Sequence, residues 1–241
     1  MNYGGVKQKM KSKVIKHIVL ALLFVLILVF ISQAAPKTMT PTETINESIK
    51  VLEEMSASGD SGAFGALLKE AKGIAIFPSI IKIGIGIGGQ YGKGIIFRKD
   101  SKTRIWYGPA FVKIKSISAG PQIGIQSIAL VLVIYNERGM EGFMEENFTL
   151  GGSASIAAGP LGRSLSADTD YKLKASIYSY SISKGAYIGV SLQGSVIEED
   201  DQANKLFYGR TISNRIILKN KISVNPAVLK LLLLTKKVSK Q

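Results

Sequence analysis

The 241-residue chain has no cysteine and a single histidine, His17, which lies in a lysine-rich leader. Beyond that leader it offers neither thiol nor imidazole. Disulfide scaffolds, zinc fingers, Cys/His proteases, Ser-His-Asp triads and His-ligated metals are excluded, and neither metal nor cofactor is expected. A catalyst would have to rely on the carboxylates, lysines and hydroxyls that every surface carries, so no enzymatic activity is expected. Acid is scarce too, with 17 Asp and Glu against 31 Lys and Arg, a formal charge of +14. Apolar residues are not scarce: 46% hydrophobic with 20% charged is the composition of a folded globular chain, not of a disordered one.

The cations are unevenly placed. Residues 1–34 hold five lysines and no acid, and a charge of +9 remains beyond them. Between positions 82 and 115 eight Lys and Arg face Asp100 alone, and nine more follow Asp201 with no acid. A surface of this kind favours polyanions. Residues 18–31 form an unbroken apolar stretch of fourteen, followed by Ser32, Gln33, Ala34, Ala35 and Pro36. At about 1.5 Å per residue the stretch falls short of a ~30 Å hydrocarbon core, and its flanks are those of an export signal cut after Ala34. The alternative is an uncleaved anchor over 14–31 in the inner membrane. On either reading the protein is exported, to the periplasm, the cell envelope or beyond. Nucleic acid is then disfavoured as a partner, while an anionic phospholipid surface or an envelope protein is favoured.

Thr40-Pro41-Thr42-Glu43 has a capping threonine, proline at the first helical position and glutamate at the third. Ile45, Ile49, Leu52 and Met55 follow at helical spacing and predict a helix over 41–56. Phe64, Leu67, Leu68 and Ala71 mark a second helix ending at Gly73. From there the period falls to two: Ile81, Ile83, Ile85 and Ile87 alternate with Lys82, Gly84, Gly86 and Gly88, and the glycines would let another backbone or ring approach closely. Further strands are expected over 95–98, 103–107, 111–115, 123–134, 153–157, 170–181 and 186–196. Asn225-Pro226 opens a closing helix over 227–237. The expected fold is α+β: one domain over 42–237 dominated by a mainly antiparallel, twisted or barrel-like sheet, with two N-terminal helices and one C-terminal helix. A linker over 35–41 precedes it and a basic tail over 238–241 follows.

Three motifs invite chemistry. Gly84 to Gly89 satisfies the G-x-G-x-x-G of dinucleotide sites, but strand and turn signals follow where a helix is needed. Ser181 and Lys184 match the S-x-x-K of serine acyl enzymes, yet the preceding Tyr178, Ser179 and Tyr180 alternate like a strand. The run Glu198, Glu199, Asp200, Asp201 lacks the spaced oxygens of a calcium loop and reads as a solvated turn.

The blocks Ala71 to Pro78, Gly88 to Gly94 and Trp106 to Phe111 resemble the SYLF domain family. The resemblance continues through Gln122 to Gln126, Leu130 to Val133, Ala157 to Arg163, Tyr178 to Ser181, Lys184-Gly185, Gly189 to Gly194, Tyr208-Gly209 and the Asn225-Pro226 helix. It covers about 42–237. It implies binding of phosphoinositides or other acidic phospholipids without catalysis, and in the fungal branch binding of actin, so host actin joins the expected partners. The chain departs from the family pattern at Ala129 and Ser153, where aspartate is usual, at Ile182, where arginine is usual, and at Gln193, where glutamate is usual.

The lipid contact is expected at Lys93, Arg98, Lys99, Lys102 and Arg104, in and beside the turn between two strands. The competing site is Lys230, Lys236, Lys237 and Lys240, which share one arc of the closing helix. Leu233 and Leu234 fall inside that arc and are expected to pack into the core.

Overall fold

The computed structural model describes residues 39–57, 61–159, 175–183 and 186–240, which belong to one compact unit, Met39–Gln241. The first helix, α1 (Pro41–Ala57), forms as its cap requires. The Glu43 amide donates to Thr40 Oγ1 at 3.2 Å and the Glu43 carboxylate accepts from the Thr40 amide at 2.8 Å. Its apolar stripe, Ile45, Ile49, Leu52 and Met55, is buried. Helix α2 (Ser61–Glu70) buries Phe64, Leu67 and Leu68.

Two strands then run much further than the punctuated sequence suggests. β1 spans Gly73–Lys99 and β2 spans Trp106–Ile134, and they pair antiparallel from Gly73↔Ile134 to Lys99↔Trp106. Register shifts between Phe77/Ile80, Ile85/Ile87 and Ile96/Arg98 absorb the twist, the first of them at Pro78, which has no amide to give to a ladder. Glycines read as strand breaks are therefore bends within continuous strands. The expected strand over 103–107 begins instead at Trp106, because 100–105 form the turn.

The ribbon doubles back on itself. The Lys99 amide donates to Lys72 O at 2.7 Å, so the two ends of β1 meet. Close approach of backbone and ring occurs at Gly92 and Gly94. A Cβ on Gly94 would lie 2.5 Å from Ile76 O and 2.6 Å from Phe77 Cδ1.

Short elements complete a mixed, curled sheet: α3 (Glu137–Gly142), β3 (Asn147–Thr149), β4 (Ile156–Ala158), β5 (Ile177–Ser183), β6 (Ala186–Tyr187) and β7 (Val196–Glu199). The strand order is β3-β7-β2-β5-β4, with β1 on β2 and β6 on β5, and β4–β5 is a parallel pair. Three helices close the chain, α4 (Asp201–Tyr208), α5 (Asn214–Asn220) and α6 (Pro226–Val238). Asn225 caps α6, its side-chain oxygen accepting from the amides of Ala227 and Val228. Alternate side chains of the sheet enter two cores. One face contributes Ile76, Phe97, Phe111, Val131 and Tyr180 to a cluster with α1, α2 and α6. The other contributes Phe77, Ile96, Val112, Ile114 and Leu130 to a cluster with Phe143, Phe148 and Ile217. Both faces of the central strands are covered, which explains their near-continuous apolar sequence.

Three sequence readings are corrected by this architecture. The acidic run is not a solvated turn: Glu198 and Glu199 lie on β7, and Asp200 is buried, capping α4 through Ala203 N. The expected strand over 186–196 is split into β6 and β7. Helices α3, α4 and α5 carry too few periodic residues to announce themselves. Ser181 does lie on a strand, its hydroxyl donating to Ile188 O at 2.6 Å, while Lys184 falls outside the described residues. Two departures from the family pattern prove to be partners, since Ala129 and Ile182 stand directly opposite across β2 and β5. The pair is apolar, so it leaves no unpaired charge between the two strands.

Candidate interaction site

The turn between β1 and β2 is organised by its one acid. Asp100 Oδ1 accepts from the amides of Thr103 at 2.8 Å and Lys102 at 3.0 Å, and from Thr103 Oγ1 at 2.9 Å. These bonds to Thr103 hold its carboxyl below the usual carboxylate range. Arg104 takes the left-handed conformation, φ 61°, that turns the chain back into β2. The carboxylate that seemed to oppose the cluster is thus occupied in shaping it.

Around this turn the structure brings together four of the five cations expected there. Arg98 lies 3.5 Å from Asp100 Oδ2 and over the Tyr107 ring. Lys99 donates to Lys69 O at 2.8 Å and sits over Trp106, its centroid 5.6 Å away. Lys102 and Arg104 are exposed, and neither has an ion pair among the described residues. Sequence reasoning missed Lys72, whose ammonium donates to Ser101 Oγ at 2.8 Å. No local signal joins Lys72 to the turn, because the contact depends on β1 closing on itself. Burial pushes the Lys99 ammonium below its ordinary pKa, and Arg104 and Lys72 add to the effect against Glu70. Crowded cations of this kind gain when an anionic group arrives to relieve their repulsion.

Lys93 does not belong to this cluster. It lies within β1, only 21% exposed, with its ammonium 3.1 Å from Asp200 Oδ2. That buried oxygen makes no hydrogen bond, and the Lys93 cation is its compensation. The role of Lys93 is structural.

The competing site also differs from expectation. Lys230, Lys236 and Lys237 on α6 and Lys240 just beyond its end are exposed, and Lys230 lies 3.7 Å from Glu53. Of the two leucines expected to pack, Leu234 is half-buried against the core, whereas Leu233 is 68% exposed, with Leu229 at 44%. The helix buries Val228, Leu231, Thr235 and Val238 instead, rotated from the arc that sequence reasoning assigned to packing.

The midpoint of the β1–β2 ribbon has a different character. Ile83, Ile87, Ile117 and Ile125 are exposed at 44%, 71%, 88% and 53%. Because the ends of β1 meet at Lys72 and Lys99, this midpoint lies at the far end of the ribbon from the basic turn. Nothing in a period-two pattern distinguishes isoleucines that enter a core from isoleucines that do not. No cluster of three or more metal-ligating side chains occurs among the described residues.

Residues 115–238, just over half of the chain, match the family described as Ysc84: Las17-binding protein actin regulator. The chain belongs to this family. The Ysc84 match starts after the basic turn and includes α6. Among curated relatives, Protein YSC84 of Saccharomyces cerevisiae is 36% identical over 164 residues, 67% of this chain and 35% of that protein. LAS seventeen-binding protein 3 of the same species is 37% identical over 165 residues, 67% of this chain and 36% of its own length. The human SH3 domain-containing YSC84-like protein 1 is 36% identical over 149 residues, 61% of this chain and 42% of the relative. The chain thus spans between a third and a half of these relatives. They correct the export reading: they are yeast and vertebrate proteins named for Las17 binding and SH3 domains, not cell-envelope proteins. Periplasm, envelope and inner-membrane anchoring are withdrawn, and with them the envelope-protein partner. Residues 1–34, on which that reading rested, lie outside the described residues. Among the described residues no helix is long and apolar enough to cross a membrane.

Proposed function

We propose that the chain is a non-catalytic binding module of the actin machinery that docks on an acidic protein surface through the basic turn. The observation that carries this reading is the convergence of Lys72, Arg98, Lys99, Lys102 and Arg104 at one end of the ribbon, with its one carboxylate engaged by the turn's own amides. The family description, an actin regulator that binds Las17, supports a protein partner. Trp106 and Tyr107 pack against two of the cations and fix their positions beside the exposed Lys102 and Arg104. A second reading, an anionic phospholipid surface at the same turn, is favoured by Ile105, 39% exposed beside the cations.

Co-sedimentation of the full chain with actin filaments separates these readings. Lys102→Gln with Arg104→Gln should weaken filament binding about tenfold, at ~0.5–1 kcal/mol per exposed ionic contact. Lys236→Gln with Lys237→Gln should leave it unchanged. Equal filament binding by the turn variant, with a loss of binding to phosphatidylserine vesicles, would move the assignment to lipid.

A further inference from the structure

We propose that Ser101, at the head of the basic turn, is a phosphorylation site for a basophilic serine/threonine kinase, and that its phosphate switches the turn off as a docking surface. The switching effect rests on the docking reading; the modification does not.

Charge along the chain selects this serine. Arg98 stands three residues before it and Lys99 two, a pattern that complements the acidic substrate cleft of a basophilic kinase. Ser166 and Ser213 also follow an arginine by three residues, but neither has a base at the second position. Lys236 and Lys237 precede Ser239 at the same offsets, yet that hydroxyl donates to Lys236 O at 2.9 Å at the end of α6. Thr103 is unsuited, because its hydroxyl donates to Asp100 Oδ1 and Asp100 itself occupies the third position before it.

The structure leaves Ser101 within reach of an enzyme. It is exposed, as are residues 102–105. The bonds that shape the turn run from the amides of Lys102 and Thr103 to Asp100 Oδ1 and from the Arg104 amide to Asp100 O. They hold no buried side chain in place, so drawing the segment into a kinase cleft is a local opening. The Arg98–Asp100 pair is long, at 3.5 Å, and a kinase carboxylate can take the place of Asp100.

In the transfer the Ser101 oxygen bonds to the γ-phosphorus of ATP as the bond from that phosphorus to the β–γ bridging oxygen breaks. ADP leaves, and the hydroxyl proton passes to the kinase's catalytic carboxylate. The product carries nearly two negative charges at neutral pH. Ser101 Oγ already accepts from the Lys72 ammonium at 2.8 Å, so the phosphate forms beside a cation that holds it as an ion pair. Its other neighbour is the Glu137 carboxylate, to which Ser101 Oγ donates at 3.3 Å. That carboxylate loses its donor and repels the phosphate, which turns it toward the cations and away from α3. Lys99 precedes the modified residue, and Lys102 and Arg104 follow it in the same turn. The added charge equals what Lys102→Gln with Arg104→Gln removes, so the same loss of affinity for an acidic partner, about tenfold, is expected.

The test treats the full chain with Mg·ATP and the catalytic subunit of cyclic-AMP-dependent kinase, maps phosphate by tandem mass spectrometry, and measures co-sedimentation with actin filaments. Phosphate on Ser101 is expected, with filament binding about tenfold weaker than before treatment and a difference that shrinks as salt rises. Ser101→Ala should take up no phosphate in this turn, and treatment should leave its binding where it was. Absence of phosphate from Ser101, or phosphate on Ser239 in its place, would overturn the modification whatever the turn binds. Full filament binding by the phosphorylated chain would overturn the switch. Weakened binding by Lys102→Gln with Arg104→Gln in the same samples would then leave the docking reading standing, and full binding by that variant as well would remove both.

Discussion

Replacing Gly94 by alanine tests the feature on which both ends of the ribbon depend, the doubling back of β1. The new Cβ would lie 2.5 Å from Ile76 O and 2.6 Å from Phe77 Cδ1, where ordinary contact begins near 3.4 Å. Neither neighbour can yield cheaply. Ile76 is held opposite Val131 in the ladder, and the Phe77 ring is fully buried. Relief requires the two halves of β1 to part by roughly 1 Å, which places the substitution at the upper end of overpacking costs, about 3 kcal/mol. For a compact unit of this size that corresponds to a fall in Tm of about 6–12 °C. Thermal unfolding followed by circular dichroism measures it, beside Gly89→Ala, whose Cβ would meet only Ser116 O at 3.5 Å. That control should stay within about 0.5 kcal/mol of the parent. Equal melting of the two variants would refute the fold-back packing.

Lys93→Met leaves the buried Asp200 carboxylate without its cation and should cost about 2–4 kcal/mol in urea unfolding, with Lys93→Met/Asp200→Asn recovering part of the loss. A loss under about 0.5 kcal/mol would show that the pair is not coupled. The hydrogen bonds of Thr103 and Lys102 lower the folded pKa of Asp100, so its contribution to the turn is present above the unfolded carboxylate value, near 3.9, and is lost as pH falls through the lower folded value. The Thr103 amide resonance should accordingly keep its folded position at pH 4; collapse above that pH would contradict the capping role.

The helices were legible where caps and spacing agreed, at Thr40-Pro41-Thr42-Glu43 and at Asn225-Pro226, because both signals are local. The length of β1 and β2 was not. Pro78 and the glycines from 84 to 94 read as breaks, and only the partner strand shows that register shifts carry the pairing through them. Contiguous cations announced the basic turn, since a tight turn must expose its side chains. Lys93 misled because its partner, Asp200, is more than a hundred residues away in sequence. The exposed isoleucines were hidden for the opposite reason: alternation specifies a face, and tertiary packing decides whether that face is covered. Leu233 illustrates the same limit on a helix, where a small rotation of the buried arc exchanges core for surface.

The central claim, that the basic turn between β1 and β2 is the docking surface, is tested most directly by co-sedimentation of the full chain with actin filaments, comparing Lys102→Gln/Arg104→Gln with Lys236→Gln/Lys237→Gln. Binding about tenfold weaker for the turn variant and unchanged for the helix variant is the expected result. Equal filament binding by the two variants would contradict it.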